Sequence, residues 1–223
     1  MNEKPKVICL GLSRTGTSTL KEALGMLGFG PCYHMTVILD DGNRNPAEID
    51  TWLNLGQGKA TLDDIRTLLK DYNSILDIPA AIYIEELYKA YPNAKFILTT
   101  RDPAKWEVSM KNTVLDVIER LSNMNPDKRT FFQSRLLEWY NVEMLTRYHQ
   151  GKIFTDTQGE LIAHNERVMK IIPSNKLLVY EVSQGWEPLV DFLEVEKPDM
   201  PFPHMNVTVE FQKRFVGSPK EMK

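Results

Sequence analysis

Cysteine is scarce: Cys9 and Cys32 are the only two in 223 residues, which excludes a fold stapled by several disulfides. The pair reads as two buried thiols in a reducing compartment. Long hydrophobic runs are missing, and no stretch approaches the roughly 20 apolar residues that cross a bilayer. There is no excess of one charge either. With 27 basic and 30 acidic residues the net charge is -3, so no global field draws the chain onto nucleic acid or anionic lipid. Any anion site must be local. The apolar run over 7–12 is too short for a signal-peptide core and carries no cleavage signature. A cytosolic protein that engages neither membrane nor nucleic acid is therefore expected. The glycosylation sequon at Asn206-Val-Thr208 matters only in a secreted chain. Repeats and low-complexity segments are absent, and 42% of the residues are apolar, enough to bury the core of one domain over 1–223.

Strands alternate with helices along the chain. A short apolar run over 6–12 stops at a glycine, as a strand buried on both faces would. Leu20, Ala23, Leu24 and Leu27 then recur at helical spacing over 17–27, and Gly28-Phe-Gly30-Pro31 ends the helix. The stretch 36–58 reads as irregular, with an exposed turn over 40–46 and a short helix over 47–54. Helices are expected over 62–72 and 82–91, with a short strand between them over 74–77. The clearest strand after the first is 95–100. A helix follows with Pro103 near its start, running over 106–121. A long helical pattern over 129–150 presents Phe132, Leu136, Leu137, Tyr140 and Leu145 on one side. Another helix over 158–171, a strand over 177–182 and a short helix over 186–192 complete the order. Such alternation implies an α/β fold with a central parallel sheet flanked by helices, its ligands lying outside the carboxyl ends of the strands.

After the first strand comes Gly11-Leu-Ser-Arg-Thr-Gly16-Thr17-Ser18, the two-glycine frame of a phosphate-binding loop opening a helix. Its backbone N–H groups and the helix dipole form an anion cradle. Nucleoside triphosphate enzymes place a lysine after the second glycine, where this chain has Thr17, and no acidic Mg²⁺ ligand is evident at the end of an early strand. The cation stands inside the loop instead, at Arg14, with Thr15, Thr17, Ser18 and Thr19 supplying hydroxyls. A strand-to-helix turn capped by Ser or Thr without any ligand is the plainer alternative.

These residues resemble the P-loop sulfotransferase superfamily. The likeness is to a divergent branch, found in fungi and other eukaryotes, that carries a Gly-x-x-Arg-Thr-Gly-Thr-x-Ser/Thr-Leu loop and a Gly-Phe-Gly-Pro-Cys-Tyr-His segment, here 11–20 and 28–34. The resemblance implies a P-loop NTPase-like three-layer fold. It also implies a donor, 3′-phosphoadenosine 5′-phosphosulfate (PAPS, product PAP), whose 5′-phosphosulfate lies at Arg14 and over 15–19.

Arg101 ends a strand, and Ser109 follows one to two turns into the next helix. Such a pair can converge on one anion over that helix's N-terminus, and it resembles the superfamily's 3′-phosphate motif. Asp77-Ile-Pro79 closes a strand on the same sheet edge, where a carboxylate can take the acceptor's proton. That place resembles a His-x-Pro segment of the cytosolic enzymes, although Asp77 can instead cap the following helix. His34 can line the acceptor pocket, serve as the base, or be structural. Tyr33, Trp52, Tyr83 and Trp106 read as packing residues, although an aromatic acceptor would want one or two of them. Tyr180-Glu181 resembles a pair near the adenine.

Leu20 stands where the cytosolic enzymes stack a Trp on adenine, and Lys213-Arg214 is the nearest match to their basic C-terminal segment. No metal is expected, since arginines and backbone N–H groups replace Mg²⁺. The resulting expectation is a sulfotransferase acting on a hydroxyl or amine of a small-molecule acceptor, with Arg14, Asp77 and His34 at the reaction centre. The acceptor pocket is expected over 31–58 and 129–150. A small-molecule kinase and a repurposed nucleotide-binding protein on the same fold are the competing expectations.

Overall fold

A computed structural model describes residues 6–39 and 45–205. Most of the turn expected over 40–46, the sequon at Asn206 and the basic pair Lys213-Arg214 lie outside the described residues. Five parallel strands form one sheet in the order β2-β3-β1-β4-β5. They are β1 (Val7–Cys9), β2 (Cys32–Tyr33), β3 (Ser74–Ile75), β4 (Lys95–Thr99) and β5 (Leu177–Tyr180). Val7 pairs with both Ser74 and Lys95, so β1 is the centre of the sheet.

Both faces of β1 are covered, which explains its unbroken apolar sequence. Val7 and Cys9 join one core cluster with Leu20, Ala23 and Leu24 of α1 (Thr17–Met26) and with Leu189 and Val190 of α10 (Trp186–Leu193). Ile8 and Leu10 join the larger cluster on the opposite face. That cluster is filled by α3 (Pro46–Gly56), α4 (Leu62–Leu68), α5 (Ile84–Ala90), α6 (Pro103–Lys111), α7 (Val114–Asn123), α8 (Phe131–Trp139) and α9 (Thr157–Ile171). The result is the expected three-layer α/β arrangement. Because every strand points the same way, the chain segments after β1, β2, β3, β4 and β5 all emerge at one edge. Among the described residues no helix is long and apolar enough to cross a membrane.

Three elements depart from the sequence expectation. Just before the stretch expected to be irregular, Cys32 and Tyr33 pair in parallel with Ser74 and Ile75, and α2 (Met35–Ile38) runs into that stretch, N-capped by His34. A two-residue strand has too few positions to show a period. The helix expected over 106–121 is two helices, α6 and α7. At Thr113 the backbone leaves the helical region (φ -137°, ψ -89°) and the Thr113 hydroxyl donates to the Ser109 carbonyl, the local competition for which threonine is known. The break turns Val114, Leu115, Val117, Ile118 and Leu121 into the core.

The long pattern over 129–150 begins as α8, with a capping box between Thr130 and Gln133, then widens into a π-helix over Tyr140–Tyr148. There the Thr146 hydroxyl reaches back to the Asn141 carbonyl (2.7 Å) and the His149 N–H to the Met144 carbonyl (3.0 Å). Hydrophobic spacing does not separate such a segment from an α-helix, since its signature lies in the hydrogen bonding.

The widened turn carries Glu143 inward. Its carboxylate accepts from Arg147 and from the Tyr83 hydroxyl (3.3 Å), and Arg147 lies over the Tyr83 ring at 4.9 Å. Tyr83, Trp52 and Tyr33 continue the network through Trp52 Nε1 to Tyr33 Oη (2.9 Å) and Tyr83 Oη to the Trp52 carbonyl (2.8 Å). Their complete burial bears out the packing role read from sequence for these three and for Trp106.

A Cβ on Gly56 would stand 1.7 Å from Glu143 Oε2. Helix propensity alone favours alanine at Gly56 by roughly 1 kcal/mol. Because Arg147 and Tyr83 hold the carboxylate in place, Gly56→Ala is expected to destabilise the fold by about 1–3 kcal/mol in urea unfolding. A variant more stable than wild type would show that Glu143 moves freely.

Candidate active site

The segment from Leu10 to Gly16 is strapped from several sides. Thr15 Oγ1 donates to the Leu12 carbonyl (2.7 Å) and meets Thr99 Oγ1 at 2.6 Å, while Cys9 Sγ lies 3.5 Å from the same Thr99 oxygen. Trp106 Nε1 donates to the Ser13 carbonyl (2.8 Å). His164, on α9, reaches the Leu10 carbonyl through Nε2 (2.6 Å), and the Tyr148 hydroxyl donates to its Nδ1. Burial drives His164 down to about 3, so it is neutral and its tautomer is fixed by these two partners.

Gly11 has no room for a side chain, as a Cβ there would lie 1.9 Å from Thr99 Oγ1. Gly16 adopts φ 105° and packs against Val182, the one conformation in the loop that only glycine enters cheaply.

Gly16 is also the N-cap of α1 and, lacking a side chain, supplies no side-chain cap to this helix end. The first-turn N–H groups of a helix have no intrahelical partner and favour an anion. The hydroxyls expected to surround that anion divide into two groups. Thr15 is committed to the loop itself, Thr17 Oγ1 lies 3.1 Å from His34 Nε2, and Thr19 accepts from the Met205 N–H (3.4 Å). Ser18 is half-buried at the mouth of the helix.

Arg14 and Arg101 come together at this edge. Arg101 Nη1 donates to the Arg14 carbonyl (2.9 Å), and Arg14 Nε donates to Ser109 Oγ (3.1 Å). Arg14 sits in the left-handed region with φ 72°. Burial lowers its affinity for the proton, the nearby Asp77 charge raises it, and Arg101 opposes it. The two cationic motifs separated in sequence are thus one cluster.

Asp77 borders that cluster and is also left-handed (φ 66°). Left-handed non-glycine residues each cost on the order of 1 kcal/mol and concentrate where function over-determines the backbone. Its carboxylate is buried. Oδ1 accepts from the Ser13 hydroxyl and Oδ2 lies 3.3 Å from His34 Nε2. The side chain therefore faces the glycine loop and does not cap the turn after Pro79, whose N–H bond goes from Ala81 to the Asp77 carbonyl.

His34 is itself 2% exposed. Its Nδ1 accepts the Thr36 N–H (3.1 Å), so the neutral ring carries its proton on Nε2, facing Asp77 and Thr17. Burial depresses His34, Asp77 partly restores it, and Lys21 depresses it further. Sequence reasoning offered Asp77 and His34 as alternatives. The fold places them as a pair.

Tyr180 ends β5 at the same edge, where its carbonyl accepts from the Thr100 N–H (2.8 Å). Its ring is fully buried in the cluster with Trp186, and its hydroxyl donates to the Gly185 carbonyl (2.6 Å). The residue of that connection that meets the glycine loop is Val182. Ser13 and His164 are not singled out in the sequence as parts of this site. Ser13 stands between the glycines and could have been found. His164 gave no local signal, because it acts across the fold. Among the described residues no group of three or more His, Cys, Asp or Glu is placed to hold a metal ion.

A family model described as a sulfotransferase domain matches residues 6–211. The chain is also similar to the Ava biosynthesis cluster protein M of Aspergillus versicolor, with 35% identity over 213 residues that cover 90% of this chain and 80% of that protein.

A pH dependence follows from the neutral ring beside Asp77. A histidine whose folded pKa lies below its ordinary 6.5 contributes stability that is complete above that value and is lost as pH falls through it toward the folded pKa. The urea midpoint is therefore expected to drop on acidification below about pH 6.5, and His34→Asn is expected to lose less than wild type over the same range. An identical acid-side slope in the variant would contradict a buried neutral His34.

Proposed function

We propose that this chain, which belongs to the sulfotransferase domain family, moves a sulfuryl group from PAPS to a hydroxyl or amine of a small-molecule acceptor. The observation that carries the proposal is the single cluster of Arg14, Arg101 and the start of α1 at Gly16, with Asp77 at its border.

Burial and the Arg101 charge both disfavour the charged form of Arg14, and an anion between the arginines and the helix N-terminus offsets both. The residues thus fit a ligand with more than one anionic group. The N–H groups at the start of α1, with Ser18 and Arg14, are proposed to hold the 5′-phosphosulfate. Arg101 and Ser109 are proposed to hold the 3′-phosphate. PAPS supplies the sulfuryl group when bound there.

Asp77 takes the proton of the acceptor's nucleophile. Ser13 and His34 each occupy one of its oxygens, which fixes the carboxylate plane and leaves a lone pair on each oxygen for the acceptor. His34 acts as a positioning residue, because its Nε2 already carries a proton and its Nδ1 is held by the backbone. Arg14 and the helix N-terminus stabilise charge that develops on the leaving phosphate. The buried free thiols Cys9 and Cys32 suit a reducing compartment and support a cytosolic setting.

Arg101→Ala is expected to weaken PAP binding by roughly 30-fold, the value of a hydrogen-bonded charge contact, and to leave AMP binding within about twofold. Calorimetry with both nucleotides reads this directly, and equal losses for both would remove the 3′-phosphate assignment. Transfer of radiolabelled sulfate to a panel of phenols, alcohols and amines tests the base. Asp77→Asn is expected to lower kcat by about 100-fold or more, while PAP affinity holds. Tight binding of ATP that requires Mg²⁺ would favour a kinase instead.

A further inference from the structure

Two consecutive residues at the end of the π-helical segment are tied to one side of α9. Tyr148 meets His164 Nδ1 through its hydroxyl, and His149 Nδ1 lies 2.6 Å from Glu160 Oε2. Glu160 and His164 stand four residues apart on α9, which puts them on the same side of that helix. The Tyr148 ring is held further by the Arg167 guanidinium at 5.3 Å, which is itself paired with Glu85 of α5 (2.8 Å).

His164 passes this anchorage on to the phosphate-binding loop. Its Nε2 donates to the Leu10 carbonyl at 2.6 Å, while the Leu10 N–H is taken by the Ile97 carbonyl of β4 at 2.8 Å. Both backbone polar groups of Leu10 are thus fixed, one by the sheet and one by α9. The carbonyl belongs to the peptide that leads into Gly11. A planar trans peptide has little freedom once its oxygen is held, so this contact sets the direction in which the loop leaves β1.

The protons along this chain are assigned by what each partner can do. A carbonyl only accepts, so the ring proton of the neutral His164 sits on Nε2, facing Leu10. Nδ1 is then an acceptor, and the Tyr148 hydroxyl donates to it. With the proton on Nδ1 instead, two acceptors would face each other at Leu10, and a buried carbonyl would go unpaired. Burial keeps the proton on Tyr148 and off the second nitrogen of His164, so the arrangement holds across the neutral range.

We propose that His164 is a positioning residue for the donor: it aims the Leu10–Gly11 peptide, and through it the loop that carries Arg14, while Tyr148 keeps it in the donating tautomer. The end of the π-helical segment thereby sets the shape of the anion cradle by way of the loop backbone. The contact that does this is a single N–H, so a side chain that restores an N–H at the same reach restores the cradle, and one of similar bulk without it does not. The inference rests on the donor lying at the loop as proposed above.

The test compares His164→Gln, whose amide N–H reaches where Nε2–H stands, with His164→Leu, in the full chain. Calorimetry is expected to show PAP binding weakened about tenfold in the leucine variant, the effect of one buried hydrogen bond, and within about threefold of wild type in the glutamine variant. Hydrogen exchange in the ligand-free protein is expected to show the amides over 11–16 opening about tenfold faster in the leucine variant alone. Nitrogen NMR of wild type is expected to place the His164 proton on Nε2, and Tyr148→Phe to speed the exchange of that proton. Equal losses in the two His164 variants, unchanged PAP affinity in the leucine variant, or a wild-type proton on Nδ1 overturns the proposal. Should His164→Leu fail to fold, the tautomer and the PAP affinity of His164→Gln decide it, a glutamine variant weakened tenfold counting against. If PAP binds none of these proteins while the loop amides respond to leucine and not to glutamine, the donor reading falls and the role of His164 in holding the loop stands.

Discussion

The hydrogen bond from Arg101 to the main chain of Arg14 is the one on which this edge of the protein depends, because it joins the strand after the sheet's centre to the phosphate loop. Arg101 is held through the Arg14 main-chain carbonyl, and Arg14 through the neutral hydroxyl of Ser109. Burial and the Arg101 charge both disfavour the Arg14 guanidinium, the Asp77 charge favours it, and the left-handed backbone at Arg14 is held by its surroundings. Trp106, Thr99 and His164 each fasten a different atom of the loop. Those contacts fix the loop on which Arg14 is carried, and a ligand that brings negative charge is favoured there.

Much of this was legible because it is local in sequence. The loop from Gly11 to Gly16 follows a strand and opens a helix, and both glycines are required by contacts that leave no space for a side chain or by a left-handed backbone. Arg101 lies just past the end of β4 and Asp102 caps α6, as a strand end followed by Pro103 suggests.

The pairing of Asp77 with His34 was not legible, because it depends on β2 and β3 being neighbours, and β2 is too short to announce itself. Ser13 in contact with Asp77 and His164 beneath Leu10 are products of the same long-range geometry. The π-helical turn was hidden for a different reason. Its apolar spacing resembles that of an α-helix, and only the buried Glu143, lodged between Gly56, Tyr83 and Arg147, reveals why the wider turn is kept.

Val182 lies far along the chain from Gly16, yet its methyl groups occupy the space that a Cβ on Gly16 would need. The connection after β5 is therefore a ceiling on the phosphate-binding loop, and the two positions are bound to drift together. A lineage that enlarged residue 182 would have to reshape the loop to keep it, whereas one that shrank it would open a gap beneath the start of α1. Among sequences of this family, the size of the side chain at this one late position should track the conformation of a loop near the opposite end of the chain.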